Sequence, residues 1–316
     1  MHILITGGAG FIGSHLADAL LERGHRIVCV DDLSLGTEDN VAHHFHNERF
    51  TFIKLDILNT ADFNELFKQH KFEHVFHMAA NSDIQAATAD VHLDLEKTFM
   101  TTFSTLECMQ NNKVKNIIFA SSSTVYGEQE KVLTEDTGPL FPISLYGAAK
   151  LSSEAFISAF CEQFDMRAWI FRFPNVVGER ATHGALFDFV KRLRENPRHL
   201  VILGDGTQRK PYLYVKDLVD GMLFGWQHAH ERLNCFNLGV ESSTTVTTIA
   251  QMVIEEMGLK DVTLRYTGGR RGWPGDVPSF KYSLAKINAL GWKAQRSSDE
   301  AVRLAVKAVI GKLRGA

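Results

Sequence analysis

Up to about residue 173, short apolar runs rich in β-branched residues alternate with stretches of helical periodicity. HILITG, RIVCVDD, FTFIKLD, HVFHMAA, NIIFASSS and WIFRF are each followed by a loop or a helix. No other feature restricts the fold so far. A strand that returns to its own sheet through a helix makes a right-handed βαβ unit, and a series of such units builds a parallel, doubly wound sheet. The runs are apolar nearly throughout, as suits strands covered on both faces. The fold class expected is α/β.

Beyond residue 174 the pattern loosens. LVILGDG, YLYV, CFNLG and TLRYT are separated by helices and by Gly-rich loops such as TGGRRGWPGD. We expect a first domain over 1–173, rejoined by a later strand near 235–239, and a smaller α/β substrate-binding domain over 174–316. There is no Pro- or Ser-rich linker, internal repeat or low-complexity segment, so the two parts are expected to pack around a cleft. Ligands of open α/β sheets bind beyond the C-terminal strand ends.

The 34 Lys and Arg against 37 Asp and Glu leave a net charge of −3. That balance gives no reason to expect nucleic acid or a membrane surface as partner, and favours a small-molecule ligand. The N-terminus opens directly into a strand-like run without a signal-type charge and apolar pattern, and no apolar stretch reaches spanning length. A cytoplasmic location is expected. Cys29, Cys108, Cys161 and Cys235 lack CxxC spacing and read as reduced core thiols. The tract HHFH at 43–46 resembles a metal tract, but no carboxylate or Cys stands at ligand spacing, so a solvated loop and no metal are expected.

ILITGGAGFIGSHLADALLERGH places Gly7, Gly10 and Gly13 between the first strand and a helix. The first glycine suits a tight turn, the second close approach of backbone to a pyrophosphate, and the third tight helix packing, with phosphate on the helix N-terminus. The spacing is GxxGxxG, and its weight comes from the strand before, the helix after and the acid at the next strand end. That acid is Asp31, followed by Asp32; a carboxylate there accepts from ribose hydroxyls and repels a 2′-phosphate, and no Arg or Lys follows before Arg49. NAD is expected over NADP in a Rossmann-like domain. Asp56 and Ile57 end the third strand near the expected adenine, and Ala79 and Ala80 end the fourth, where small residues let a cofactor pass.

SLYGAAKLSSEAF, residues 144–156, sets Tyr146 and Lys150 four positions apart in a helical pattern. Side chains at i and i+4 lie above one another, so hydroxyl and ammonium are expected to converge. An unperturbed tyrosine titrates near ~10, so activating it at neutrality takes roughly 4 kcal/mol of preference for the phenolate.

Through TGGAGFIGSH, ASSSTVYG, YGAAK, RFPNVVG, GDGTQRKPYLYVKD and GDVP, the whole chain resembles the extended short-chain dehydrogenase/reductase family. It is most similar to the nucleotide-sugar epimerase and dehydratase branch, in particular the shorter archaeal-type UDP-glucose 4-epimerases. The resemblance implies that Tyr146 transfers the proton, that Lys150 holds the nicotinamide ribose and lowers the tyrosine pKa, and that Ser122 bridges sugar and tyrosine. It also implies cofactor contacts from Phe11, Ile12 and Phe173, and substrate contacts from Ser123, Asn175, Arg209, Lys210, Arg271, Asp276 and Phe280. Lys210 replaces the usual diphosphate arginine, Thr98 a usual Asn, and Trp273 a frequent Arg, so Arg209, Arg270 or Arg271 are alternatives for the diphosphate.

Ser123 and Thr124 stand where dehydratases of the branch carry an acid pair, which disfavours dehydration. The resemblance thus implies an NAD-dependent 4-epimerase that interconverts UDP-glucose and UDP-galactose, or a related pair, through a 4-keto sugar. A 4-ketosugar reductase and a non-catalytic NAD-binding protein are the alternatives. A homodimer is implied through the helices around 92–110 and 145–163, whose Phe99, Phe103, Leu106, Phe156 and Phe160 suit an interface or packing on the sheet.

Overall fold

The computed structural model describes residues 1–83, 89–273 and 275–314. The first part of the chain runs β1 (His2–Thr6), α1 (Phe11–Glu22), β2 (Arg26–Asp31), β3 (Phe50–Lys54), α2 (Thr60–His70), β4 (His74–His77), α3 (Thr101–Asn111), β5 (Asn116–Ser122), α4 (Leu145–Phe164) and β6 (Arg167–Phe173). There follow β7 (Asn175–Val177), α5 (Ala185–Glu195), β8 (His199–Ile202), β9 (Arg209–Lys210), β10 (Tyr212–Tyr214), α6 (Val215–His228) and β11 (Leu233–Asn237). The last elements are β12 (Thr244–Thr245), α7 (Val246–Met257), β13 (Thr263–Tyr266), α8 (Ala285–Leu290) and α9 (Ser298–Arg314).

Among the described residues, seven strands make one sheet in the order β11-β6-β5-β4-β1-β2-β3. β1 pairs parallel with β2 and β4, β2 with β3, and β4 with β5. The chain is therefore α/β and doubly wound. The inner strands are buried along their length, whereas β3, at the edge, exposes Thr51 and Lys54. An edge strand has a neighbour on one side only, which explains why FTFIK is less enclosed than its composition suggests. Leu4, Val28, Val75, Ile117 and Phe119 of the sheet pack with Phe63, Phe67, Leu106, Met109 and Ile157 of the helices. His77 sits in this interior with Nδ1 2.7 Å from Thr6 Oγ1 and Nε2 3.1 Å from Thr102 Oγ1; burial lowers its pKa to about 3, so it works as a neutral linker.

Two compact units divide the chain: Met1–Val125 with Ser144–Arg172 and Met222–Phe236, and Tyr126–Ile143 with Phe173–Gly221 and everything from Asn237 onward. A break at residue 173, with a later strand near 235–239 rejoining the first domain, is expected from the sequence; the units also exchange Tyr126–Ile143 and Met222–Phe236 across that break. β11, late in the chain, stands beside β6 at the edge of the large sheet. Among the described residues, β10 pairs with β7, β12 with β9 and β13 with β8 in the second unit. No described helix is long and apolar enough to cross a membrane. No disulfide occurs among the described residues; Cys29, Cys108 and Cys161 are buried and Cys235 half-buried.

Helix α4 starts at Ser144, whose hydroxyl accepts from Gly147 N at 3.1 Å, and stops where Asp165 turns left-handed at φ 53°. Its inner face is polar where a core helix is usually apolar. Glu154 accepts from Arg172 of β6 (2.5 and 2.9 Å) and from Ser121 of β5 (2.5 Å), and all three residues are buried. Ser153 donates to Thr102 of α3 at 3.1 Å. On the outer side, Phe156 lies 5.1 Å from Phe99 and 5.8 Å from Phe103, and Phe103 lies 6.3 Å from Phe160. Leu106 is turned away from this row into the core.

The HHFH tract departs from expectation. His43 and His44 stand on a single 3₁₀ turn, Ala42–His44, and both reach Asp18 of α1, so the tract does have a carboxylate beside it. Spacing along the chain missed it because Asp18 lies 25 residues before His43.

Removing one member of a buried ion pair leaves the other charge uncompensated, a loss of about 3–5 kcal/mol. Glu154→Ala is therefore expected to lower the urea unfolding free energy by that order at unchanged m-value, and the double change Glu154→Leu with Arg172→Met to recover most of it.

Candidate active site

The turn after β1 is built by close approach. Gly7 has φ +66°, and a Cβ there would lie 2.8 Å from Ala79 N, so the turn lies against the backbone that leaves β4. A Cβ on Gly13 would lie 2.1 Å from Gly7 O, which seats α1 directly on the turn. Gly10 caps α1 with no side-chain hydrogen bond, so the first N–H groups of the helix are not occupied by a capping side chain. Phe11 and Ile12, in the first turn of α1, keep partial exposure. Such a turn leaves room for a diphosphate on a helix N-terminus, and the residues present fit a dinucleotide.

Asp31 closes β2, with Oδ2 accepting from Ala9 N at 3.0 Å and Oδ1 from Leu33 N at 2.8 Å. Burial raises its pKa, and these N–H groups act against the rise. Each oxygen keeps a further lone pair for a hydroxyl. Asp32 is held by Ser34 and by Lys97, whose ammonium lies 3.0 Å from Asp32 and 3.1 Å from Asp56.

Lys97 changes the charge argument made from the sequence. No cation follows Asp32 closely along the chain, yet one arrives through space, on a π-helical stretch, Leu95–Met100, that leads into α3. It leaves Asp31 as the carboxylate at this strand end without an ion-pair partner among the described residues. Asp56 and Ile57 lie just past β3, which stops at Lys54; Asp56 is exposed, and the carbonyl of Ile57 accepts from Ser104 at 2.6 Å. Ala79 and Ala80 follow β4, half-buried, and Phe173 closes β6, buried.

Ser122, Tyr146 and Lys150 come together. Ser122 ends β5 and its Oγ accepts from Thr124 N and Oγ1 at 3.2 and 3.0 Å; Ser123 follows on the next turn, half-buried. Tyr146 is partly exposed and stands beside Ser122, whose hydroxyl favours the phenolate. Desolvation, then the Asp94 carboxylate, push the phenol pKa up, and Ser122 opposes them.

Lys150 is 2 % exposed; its Nζ donates to the Ala120 carbonyl at 2.7 Å and lies 4.7 Å from the Phe119 ring centre and 5.7 Å from that of Tyr146. Burial lowers its pKa to about 7, against the opposing charges of Asp94 and Glu154. With the fold alone around them, both groups are driven toward neutrality: burial disfavours the phenolate and the ammonium alike.

Asp94 is a member of this surrounding that sequence reasoning missed. It is buried, Oδ1 accepts from Asn81 at 2.9 Å and from Thr98 at 3.3 Å, and Oδ2 has no hydrogen-bond partner among the described residues. Thr98, read as a substitute for a cofactor-side Asn, is fully buried and engaged with Asp94 and the Asn81 backbone. Nothing in the local pattern marks Asp94, since its importance comes from the fold bringing it near Lys150.

In the second unit, the residues expected to meet substrate are partly paired with one another. Lys210 forms an ion pair with Asp276, and Arg271 with Glu128. Arg209 is exposed, makes no ion pair among the described residues and donates to Ser243 O at 3.3 Å. Asn175 is exposed at the start of β7, opposite Tyr212 of β10 in the strand register. Phe280 is half-buried with its ring 5.2 Å from Tyr282, which lies 6.1 Å from Tyr126. Trp273 is half-buried.

The lowered pKa of Lys150 has a stability consequence whose sign follows from linkage. Between about pH 7 and 9 the unfolded chain holds the lysine proton and the folded chain has released it, so stability from this group rises with pH, approaching about 1.4 kcal/mol for each step of one in pH. Lys150→Met is expected to remove that slope. Cofactor-stripped wild type and variant, unfolded in urea at several pH values, check it; equal slopes would show that Lys150 is charged in the fold.

A profile of the NAD dependent epimerase/dehydratase family matches residues 3–239. UDP-arabinose 4-epimerase 1 of Arabidopsis thaliana is 30% identical, over 94% of this chain and 76% of its own. The crystal structure of UDP-glucose 4-epimerase from Thermotoga maritima with UDP-glucose is 31% identical with TM-score 0.88, covering 99% of this chain and 100% of that one. That of UDP-glucuronic acid 4-epimerase from Bacillus cereus with UDP-glucuronic acid and NAD is 28% identical with TM-score 0.88, at the same coverage. The chain described here belongs to the NAD dependent epimerase/dehydratase family and is an NAD-using enzyme of the epimerase class.

Proposed function

We propose that this protein is a UDP-sugar 4-epimerase that interconverts UDP-glucose and UDP-galactose through a 4-keto sugar. The observation that carries the reading is the placement of Tyr146 beside Ser122, with the buried Lys150 Nζ 5.7 Å from the tyrosine ring centre. Tyr146 takes the proton of the sugar 4-hydroxyl and returns it after the carbon has changed configuration. Ser122 hydrogen bonds the same hydroxyl and passes the proton to and from Tyr146. Lys150, when it carries its proton, favours the phenolate, and Asp94 and Glu154 support that charge against burial. NAD, when bound, supplies the hydride acceptor and donor and is used again at each turnover.

The turn of Gly7, Gly10 and Gly13 with Phe11 and Ile12 would hold its diphosphate, and Asp31 its adenosine ribose. Asp32, Asp56, Ile57, Ala79, Ala80 and Phe173 would line the remainder, and Lys150 would reach the second ribose. For the substrate, Ser123 and Asn175 would meet the sugar and Asp276 the nucleotide ribose. Arg209 is the better candidate for the diphosphate, because Lys210 and Arg271 already face carboxylates. Phe280 is read as the wall beside sugar C2.

The purified protein should carry NAD and convert UDP-glucose to UDP-galactose with no cofactor added, which a net reductase could not do. Tyr146→Phe should abolish turnover with NAD still bound; activity within tenfold of wild type would remove Tyr146 from its role. In the same assay UDP-N-acetylglucosamine should be the poorer substrate by ~1–3 kcal/mol of overpacking, and Phe280→Ala should narrow the gap. Equal effects of that change on both sugars would show that Phe280 only packs.

We further read the protein as a cytoplasmic homodimer with the row of Phe99, Phe103, Phe156 and Phe160 at its contact. Phe156 keeps 41% of its surface exposed in the single chain, a large apolar exposure for a helix face. Light scattering after size exclusion should give twice the chain mass, and Phe156→Glu should halve it.

A further inference from the structure

Asp18, His43 and His44 form a cluster that the proposed chemistry does not use. His43 Nε2 and His44 Nε2 lie 2.9 and 2.7 Å from the same oxygen, Asp18 Oδ1. The candidate donor atoms of the three residues all lie within 4.8 Å of one another. Two imidazole nitrogens and a carboxylate oxygen suit zinc and its neighbours among the divalent transition metals. An ion with bonds of about 2.0–2.1 Å spaces its donors about 3.4 Å apart, so each imidazole nitrogen has to move off Asp18 Oδ1 by roughly half an ångström or slightly more. His43 is 46% exposed at its side chain, which allows that movement, and water can complete the coordination.

The backbone that presents the histidines is already in place. Thr37 N donates to Ala9 O at 3.2 Å, Asn40 Nδ2 donates to the same carbonyl at 2.9 Å, and Val41 is fully buried ahead of the turn. The two imidazoles lie with centres 4.0 Å apart, and the Phe50 ring stands 5.3 Å from that of His44. A preformed donor set loses little conformational freedom on taking an ion.

We propose that Asp18, His43 and His44 bind one zinc-class divalent cation that clamps the β2–β3 connection onto α1. The ion replaces the contacts the two imidazoles share with Asp18 and ties together two segments that are far apart in the chain. Its place is structural, and binding to the folded form alone raises stability by mass action.

The test is a Zn²⁺ titration of chelator-treated, NAD-containing enzyme, followed by calorimetry and thermal unfolding, with wild type, Asp18→Asn, His44→Asn and a His46→Ala control. The expected result is one equivalent bound below about 10 µM with a rise in Tm in wild type and control, and at least tenfold weaker binding in Asp18→Asn and His44→Asn. Both variants should keep metal-free turnover and NAD content, which separates loss of the site from loss of the fold. Cobalt in place of zinc should give the visible bands of a low-symmetry site in wild type and control only. Absence of binding below about 100 µM in wild type, or equal binding in all four proteins, overturns the proposal.

Discussion

The Glu154 carboxylate, shared between Arg172 of β6 and Ser121 of β5, is the interaction on which the site depends. It lies two turns along α4 from Tyr146 and one from Lys150, so pinning Glu154 to the sheet sets the height and rotation of the whole helix. Lys150 then meets the Ala120 carbonyl, Ser153 meets Thr102, and Tyr146 meets Ser122. An apolar seam at these positions would have packed the helix at less cost in desolvation. The polar seam allows fewer positions, since hydrogen bonds fail within a fraction of an ångström while dispersion contacts tolerate sliding.

The same burial creates an electrostatic tension. Desolvation raises the phenol pKa of Tyr146 and lowers the ammonium pKa of Lys150, so the low-dielectric surroundings oppose the charged form of each. Asp94 and Glu154 support the lysine charge, but Asp94 also disfavours the phenolate. The fold therefore holds these residues in place without making the tyrosine a strong base. A positive charge placed beside the phenol would move that balance toward the phenolate. In the second unit a similar balance applies: Lys210 with Asp276, and Arg271 with Glu128, are paired charges until something of higher charge competes for them.

Much of this was legible along the chain because the signals are local. Strands β1 to β6 lie where apolar runs alternate with helical ones, and Gly7 and Gly13 stand where backbone approaches too closely for a Cβ. Tyr146 and Lys150 share a face of α4 because helix geometry sets the i and i+4 relation without reference to anything else. That a late strand rejoins the sheet was legible in the sequence, whereas the edge character of β3 and β11's place beside β6 were not, since a strand's neighbours are not written in its own residues. Nor were the positions of Phe156 and Leu106, which share an apolar character and differ only in what faces them.

Sequence alone determined the fold class, the glycine turn, the acid at the end of β2 and the tyrosine and lysine of α4, all consequences of short-range sterics and periodicity. Only the tertiary structure decided which charges meet. Lys97 reaches Asp32 across 65 positions, Lys210 reaches Asp276 across 66, Asp18 gathers His43 and His44, and Asp94 enters the surroundings of Lys150. The physical reason is that a Coulomb interaction or hydrogen bond depends on distance in space and on burial, and neither quantity is carried by separation along the chain.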